Sequence, residues 1–269
     1  HSIENNLLAI IGVSLTRIHY IGLIQTGHQP QNKMHQSPHP LFSERHERLW
    51  SLIYPQIETE DLAHDPLHIL RVYHWTCRLA PEANANVELS GAAALLHDLI
   101  NIPKESQLRS TAADASANAS HPWLIDSGYS KEECKVVMDA IRTCSWSKGA
   151  SPLNPEGLAL QEADRLDAIG AIGVMRNAAC AQAMKRRGNT GSFYHRVDPL
   201  ATSERSLNDR HYAIDHFRIK LLKIAESLSL PSAKLEGARR HKFMLSFLEN
   251  LEYEIPHPNL SSGLSRRQH

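Results

Sequence analysis

Several things are scarce in this sequence, and each scarcity closes off a class of protein. Net charge is the first. Lys and Arg together number 29 and Asp and Glu number 29, so the formal charge is zero with histidine neutral. A protein held to nucleic acid by bulk attraction to phosphate needs a basic excess, so nucleic acid is not expected as a partner. Cysteine is sparse: Cys77, Cys134, Cys144 and Cys180 form no Cys-x-x-Cys pair, which leaves neither a zinc-finger framework nor a disulfide scaffold. Reduced thiols in a cytoplasmic protein are the simplest reading. Aromatic residues make up only 6% of the chain, and no segment alternates apolar and polar residues as a half-buried strand would. A clean membrane span is also missing. Leu7 to Ile24 is apolar but is interrupted by Arg17 and His19, both costly at a bilayer centre, so an anchor is disfavoured. The stretch before it lacks the basic start of a signal peptide. The first methionine is Met34, one candidate for the start of synthesis.

What is present points to helices. Residues 1–40 read as an N-terminal extension ending in a Pro- and His-rich linker, residues 41–255 as one folded domain, and residues 256–269 as a tail. After Leu41, Phe42, Leu49, Leu52 and Ile53 lie roughly on one helical face. Asp65-Pro66 is a strong helix start, with Asp able to cap free N–H groups and Pro tolerated at the first helical position. Leu67, Leu70, Val72 and Trp75 then form much of an apolar surface. Leu89 to Ile100 reads as a buried helix, and Ser130-Lys-Glu-Glu133 as a capping box opening another. Leu158 to Met184 reads as one long helix rich in Ala and Gly, and Gly188 to Asn208 as a long loop. Two helices close the domain, one carrying Ala213, Phe217, Leu221 and Ile224, the other Phe243, Phe247 and Leu251.

Three polar clusters interrupt this apolar pattern: His64-Asp65-Pro66-Leu67-His68 with Arg71, then His97-Asp98, then Asp164-Arg165-Leu166-Asp167. His97-Asp98 follows Ala92 to Leu96, a run with no polar side chain. A carboxylate buried there costs several kcal/mol unless paired, hydrogen-bonded or metal-bound. Asp164 poses the same problem, and His68 lies on the first turn of an otherwise apolar helix. Each cluster alone has an ordinary structural explanation, with Arg71 and Arg165 available as partners. Together, two imidazoles and two carboxylates from three helices make a mixed N/O metal site with positions left open for water and a phosphate oxygen.

The order His, His-Asp, Asp on helices resembles the HD superfamily of metal-dependent phosphohydrolases. The strings His64-Asp65-x-x-His68-x-x-Arg71-Val72, Leu96-His97-Asp98, Ala163-Asp164-Arg165-Leu166-Asp167-Ala168-Ile169-Gly170 and Tyr212-Ala213-x-Asp215-His216-Phe217-x-x-Lys220 bring it closer to the small bacterial branch that includes nucleotide pyrophosphohydrolases. The resemblance runs from about Leu41 to Glu254 and implies an all-α fold, a single HD-domain helical bundle with a poorly ordered or separate N-terminal extension. It implies His68, His97, Asp98 and Asp164 as ligands of a divalent cation (Mn, Mg, Co or Zn). It also places Lys104 and Arg109 as cations facing a polyphosphate. Asp98 would serve catalysis as well as ligation, and Asp167, three residues after Asp164 and near the same helix face, could orient a water or ligand or equally pair with Arg71. The implied activity is hydrolysis of a phosphate ester or anhydride, most simply of a nucleotide, by water activated at the cation. His64 would stand behind the ligands. Cys144 occupies the place where the branch usually has a histidine, and Glu162 a place where it often has Asp. The alternatives are a non-catalytic HD protein that binds a nucleotide or a partner, for which Cys144 speaks, and a di-iron oxygenase, for which His121 is the only candidate extra ligand. Oligomeric state stays open.

Overall fold

The computed structural model describes residues 41–57, 62–102, 106–145, 149–188 and 191–255. The expected extension, the C-terminal tail and Lys104 therefore lie outside the described residues. The rest is all-α. Helix α1 (Glu44–Ile53) starts at Ser43, whose side chain accepts from His46 N–H. A short 3-10 turn follows it, and α2 (Pro66–Leu79) begins as its sequence dictates, with Asp65 accepting from the His68 N–H and Pro66 in the first turn. Helices α3 (Val87–Leu96), α4 (Ala112–Asp126), α5 (Lys131–Arg142), α6 (Pro155–Asp167) and α7 (Gly170–Arg186) come next. The capping box of α5 forms in both directions between Ser130 and Glu133. A π-helical turn (Phe217–Leu221) and a short helical run lead to α8 (Pro231–Glu254). Among the described residues the β-type pairing is a lone bridge between Ser192 and Tyr212. No described helix is long and apolar enough to cross a membrane. All four cysteines are free thiols.

The centre of the bundle is α3. Every residue from Leu89 to Leu96 is buried, so this helix is apolar all round and is walled by α1, α2, α5 and α6. Its Ser-Gly-Ala-Ala-Ala run allows close approach: a Cβ on Gly91 would stand 2.5 Å from His46 Cε1. Helix α2 packs on α6 as well as on α3, α5 packs on α4 and α6, and α8 lies across α7 and α6.

The structure corrects four expectations. The inward face of α2 is His68, Ile69, Val72, Tyr73, Thr76 and Cys77, while Leu67 is 60% exposed. The face is rotated because His68 has to point inward. The buried helix at Leu89 stops at Leu96, so His97-Asp98 sits in the turn at its C-terminal end. The long helix from Leu158 is two helices. It breaks at Ile169, which is extended, and at Gly170, whose φ of +79° is left-handed backbone that favours glycine. On α8 the buried residues are Ala233, Gly237, Met244 and Leu248, whereas Phe243 is 45% exposed. Helix α4, built largely of Ala and Ser, carries too little apolar periodicity to be read from sequence.

Glu162 shows how the last helix is tied on. Its carboxylate is fully buried and accepts from Ser229 N–H (2.6 Å), Ser229 Oγ–H (2.5 Å) and Leu230 N–H (3.0 Å), just before α8 begins. Glu162→Ala leaves these donors unsatisfied and should cost about 2–3 kcal/mol of stability, read as a lower urea midpoint. A midpoint equal to that of the unmodified chain would show that the junction contributes nothing.

Candidate metal centre

Three helix ends bring the polar clusters together. His68 comes from the first turn of α2, His97 and Asp98 from the C-terminal end of α3, and Asp164 from the last turn of α6. One ligand atom from each of His68, His97 and Asp164 lies within 4.8 Å of the others. Asp98 Oδ2 adjoins both imidazoles, 3.4 Å from His68 Nε2 and 3.8 Å from His97 Nε2, and Asp164 Oδ1 is 3.9 Å from His68 Nε2. Helix C-termini carry partial negative charge, so the ends of α3 and α6 add to a field that favours a cation.

The two imidazoles are pinned from behind. His97 Nδ1 is 2.8 Å from the Ala94 carbonyl, and His68 Nδ1 is 2.7 Å from Asp167 Oδ2. A carbonyl and a carboxylate can only accept, so both Nδ1 atoms donate, and in the neutral ring Nε2 carries the lone pair. Both Nε2 atoms are buried and have no hydrogen-bond partner among the described residues. Two orphaned lone pairs facing carboxylate oxygens are the donor set a divalent cation takes, so the residues present fit such an ion.

The electrostatics agree. Burial, the largest influence, and Arg176 push the His68 imidazole down, but Asp167 and Asp98 outweigh them and its pKa is raised. Burial would raise the Asp98 carboxyl, yet the adjacent His97, His68 and His64 rings hold it well below the usual carboxylate range. The pocket is built to hold positive charge between these groups.

Asp98 and Asp164 are less buried than the sequence suggested, their side chains being 23% and 27% exposed toward the cavity. The deeply buried carboxylate is Asp167, at 1%. It accepts from Arg71 Nε (2.7 Å) and Nη2 (3.1 Å), from Arg176 Nη1 (3.1 Å), and from His68. Burial alone would raise its pKa, but these partners press it far below the usual range. Asp167 therefore touches His68 and does not line the cavity, so it would act through that ring.

The cavity over the site is lined by His64, His97, Asp98, Asp164 and Arg109. Arg109 also donates to the Ile102 carbonyl and Asn101 Oδ1. Cys144 and Cys180 line the cavity, while His121 is exposed on α4 and does not. Sequence reasoning assigned no role to Arg176, Asn177, His216 and Lys220, which line it too. The Tyr212-Ala213-x-Asp215-His216-Phe217-x-x-Lys220 string was the available signal for His216 and Lys220, whereas nothing in the sequence marks the break that starts α7.

The HD domain profile matches residues 67–169, a span holding His68, His97, Asp98 and Asp164. This chain carries an HD domain. The HD match ends at the α6–α7 break, and relatives extend beyond it. The Bacillus subtilis protein YpgQ is 29% identical over 214 residues, covering 78% of this chain and 93% of YpgQ. The crystal structure of YpgQ in complex with ADP superposes with a TM-score of 0.59 at 28% identity, covering 78% of this chain and 97% of that one. A Lactobacillus plantarum protein gives a TM-score of 0.62 at 26% identity, covering 80% and 98% of the two chains. An HD-superfamily hydrolase from Bacillus thuringiensis gives 0.52 at 29% identity, covering 77% and 97%.

Replacing Asp167 tests the backing of His68. Asp167→Asn should weaken divalent-cation affinity about 10–100-fold and cost about 3 kcal/mol at neutral pH. Because the folded pKa is depressed, the stability difference should be full above the ordinary Asp range, near pH ~4, and shrink as pH falls below it. Equal unfolding curves at pH 7 and pH 3 would contradict this.

Proposed function

We propose that this protein is a metal-dependent phosphohydrolase that cleaves a phosphate ester or anhydride, with a nucleotide as substrate. The observation that carries the reading is the pair of orphaned Nε2 atoms of His68 and His97, fixed from behind and flanked by Asp98 and Asp164 in an accessible cavity. The substrate class is supported by the complex of YpgQ with ADP and by the cations around the cavity.

His68, His97, Asp98 and Asp164 would hold the divalent cation. When bound, Mn, Mg, Co or Zn would polarise a phosphate oxygen and bring a water's pKa towards ~7. The remaining work falls to the chain's own groups. Asp98 and Asp164 keep part of their carboxylates exposed to the cavity, where an oxygen can orient a water or accept its proton. Arg109, its guanidinium steadied by the Ile102 carbonyl, neutralises charge on the phosphates, and Lys104 is assigned the same role. Arg71, Arg176 and Asp167 hold the His68 ring without touching substrate. Cys144, buried beside the cavity, stands in for the imidazole usual in the branch, which favours a softer ion.

Asp98→Ala should abolish both divalent-cation binding and turnover in a nucleotide panel assayed with Mn, Mg, Co and Zn. Turnover retained in that variant would defeat the site. Nucleotide binding without turnover in the unmodified chain would instead favour a non-catalytic HD protein.

A further inference from the structure

The cavity has a wall that the HD-matched residues do not supply. His216 and Lys220, some fifty residues beyond the match to 67–169, line it together with His97, Asp98 and Asp164. They sit on the π-helical turn Phe217–Leu221 and the residue before it. Such turns are rare and recur at functional sites. Here Phe217 and Leu221 are buried in the core, 1% and 3% exposed, while the two polar side chains four residues apart face the cavity.

His216 is held in orientation. Its Nδ1 lies 2.7 Å from Asp209 Oδ2, and a carboxylate only accepts, so Nδ1 donates. The residue just before it is locked as well. Asp215 is fully buried, accepts from Arg205 Nη1 at 2.7 Å and Nη2 at 2.5 Å, and takes the Asn208 N–H at 2.7 Å. Arg205 in turn donates through Nε to Asp198 at 2.8 Å. From the other side, Asn177 on α7 donates to the Ala213 carbonyl at 2.9 Å. A buried ion-pair chain is an inefficient source of stability compared with apolar packing. Its evident effect is to fix where His216 stands.

We propose that His216, oriented by Asp209, and Lys220 form a second phosphate-binding edge that contacts the polyphosphate of the substrate from outside the HD motif. This rests on the reading of the cavity as a site for a phosphorylated substrate. His216 donates from Nε2 and Lys220 from Nζ to phosphate oxygens. A ring that donates from both nitrogens does so as an imidazolium, with its Nδ1–H held by the Asp209 carboxylate. Asp209 is a positioning residue and touches no substrate.

The test is calorimetric binding of ADP and of inorganic pyrophosphate to the full chain with Mn(II), alongside turnover of the nucleotide panel. His216→Ala and Lys220→Met should each weaken both ligands at least about tenfold, a typical effect for a charge-assisted contact. Mn(II) affinity and the thermal midpoint should keep their original values, which a merely structural role would not allow. Lys220→Arg should retain binding within about threefold. Asp209→Asn keeps the hydrogen bond but removes the charge, so it should weaken ADP by a smaller factor than His216→Ala. Should His216→Ala fail to fold, Lys220→Met, Lys220→Arg and Asp209→Asn decide. Unchanged ADP and pyrophosphate affinity in the folded variants overturns the edge, as does an unmodified chain that binds neither ligand. ADP binding that depends on His216 and Lys220 in a chain without turnover supports the edge and rejects hydrolysis. Turnover indifferent to both residues does the reverse.

Discussion

The Asp167 carboxylate sits in the interior with almost no contact with water, and the site is arranged around it. Left alone, a charge so placed would cost several kcal/mol or be neutralised by a proton. Arg71 from α2 and Arg176 from α7 prevent this, and the fourth hydrogen bond goes to His68. That bond fixes the tautomer and the orientation of an imidazole whose other nitrogen faces the cavity. Three helices are thereby tied to one oxygen pair: α2, which supplies two partners, α6, which ends on Asp167, and α7, which begins at the left-handed Gly170 and supplies Arg176. A change in any of them reaches the centre through His68.

Around this anchor the architecture is economical. Helix α3 is buried on every side from Leu89 to Leu96, so it presents polar groups at its ends, Glu88 at the first turn and His97-Asp98 just past the last. The end of α6 meets it, and both termini are electronegative where a cation would sit. The wall across α7 and the π turn is added by the chain beyond the HD-matched residues, and the Asp198–Arg205–Asp215 chain gives a long irregular loop a fixed end.

Local chemistry was legible wherever a short stretch of sequence contains both partners. The Asp65 cap, the Pro66 start and the Ser130–Glu133 capping box are such cases, because the interacting atoms are within four residues. The helical class was legible too, from apolar spacing and the want of alternation. Less legible were the faces. Leu67 outside and His68 inside α2 invert the hydropathy pattern, since the site and not the transfer energy of one Leu sets the helix's rotation. The Leu158–Met184 stretch reads as continuous because its residues all tolerate a helix, and the break shows only in the backbone at Ile169 and Gly170.

By itself, then, the sequence determined that the chain is helical, where several helices begin, and that His68, His97, Asp98 and Asp164 form an ordered set resembling HD hydrolases. Those properties reside in residue type and spacing. Only the tertiary structure decided which aspartate is deeply buried, which nitrogen of each imidazole faces the cavity, and that His216 and Lys220 share it. These depend on contacts such as that of His68 with Asp167 and on a cavity shared by residues as far apart as Asp98 and His216, and no spacing along the chain encodes the direction in which a side chain meets a partner from another helix.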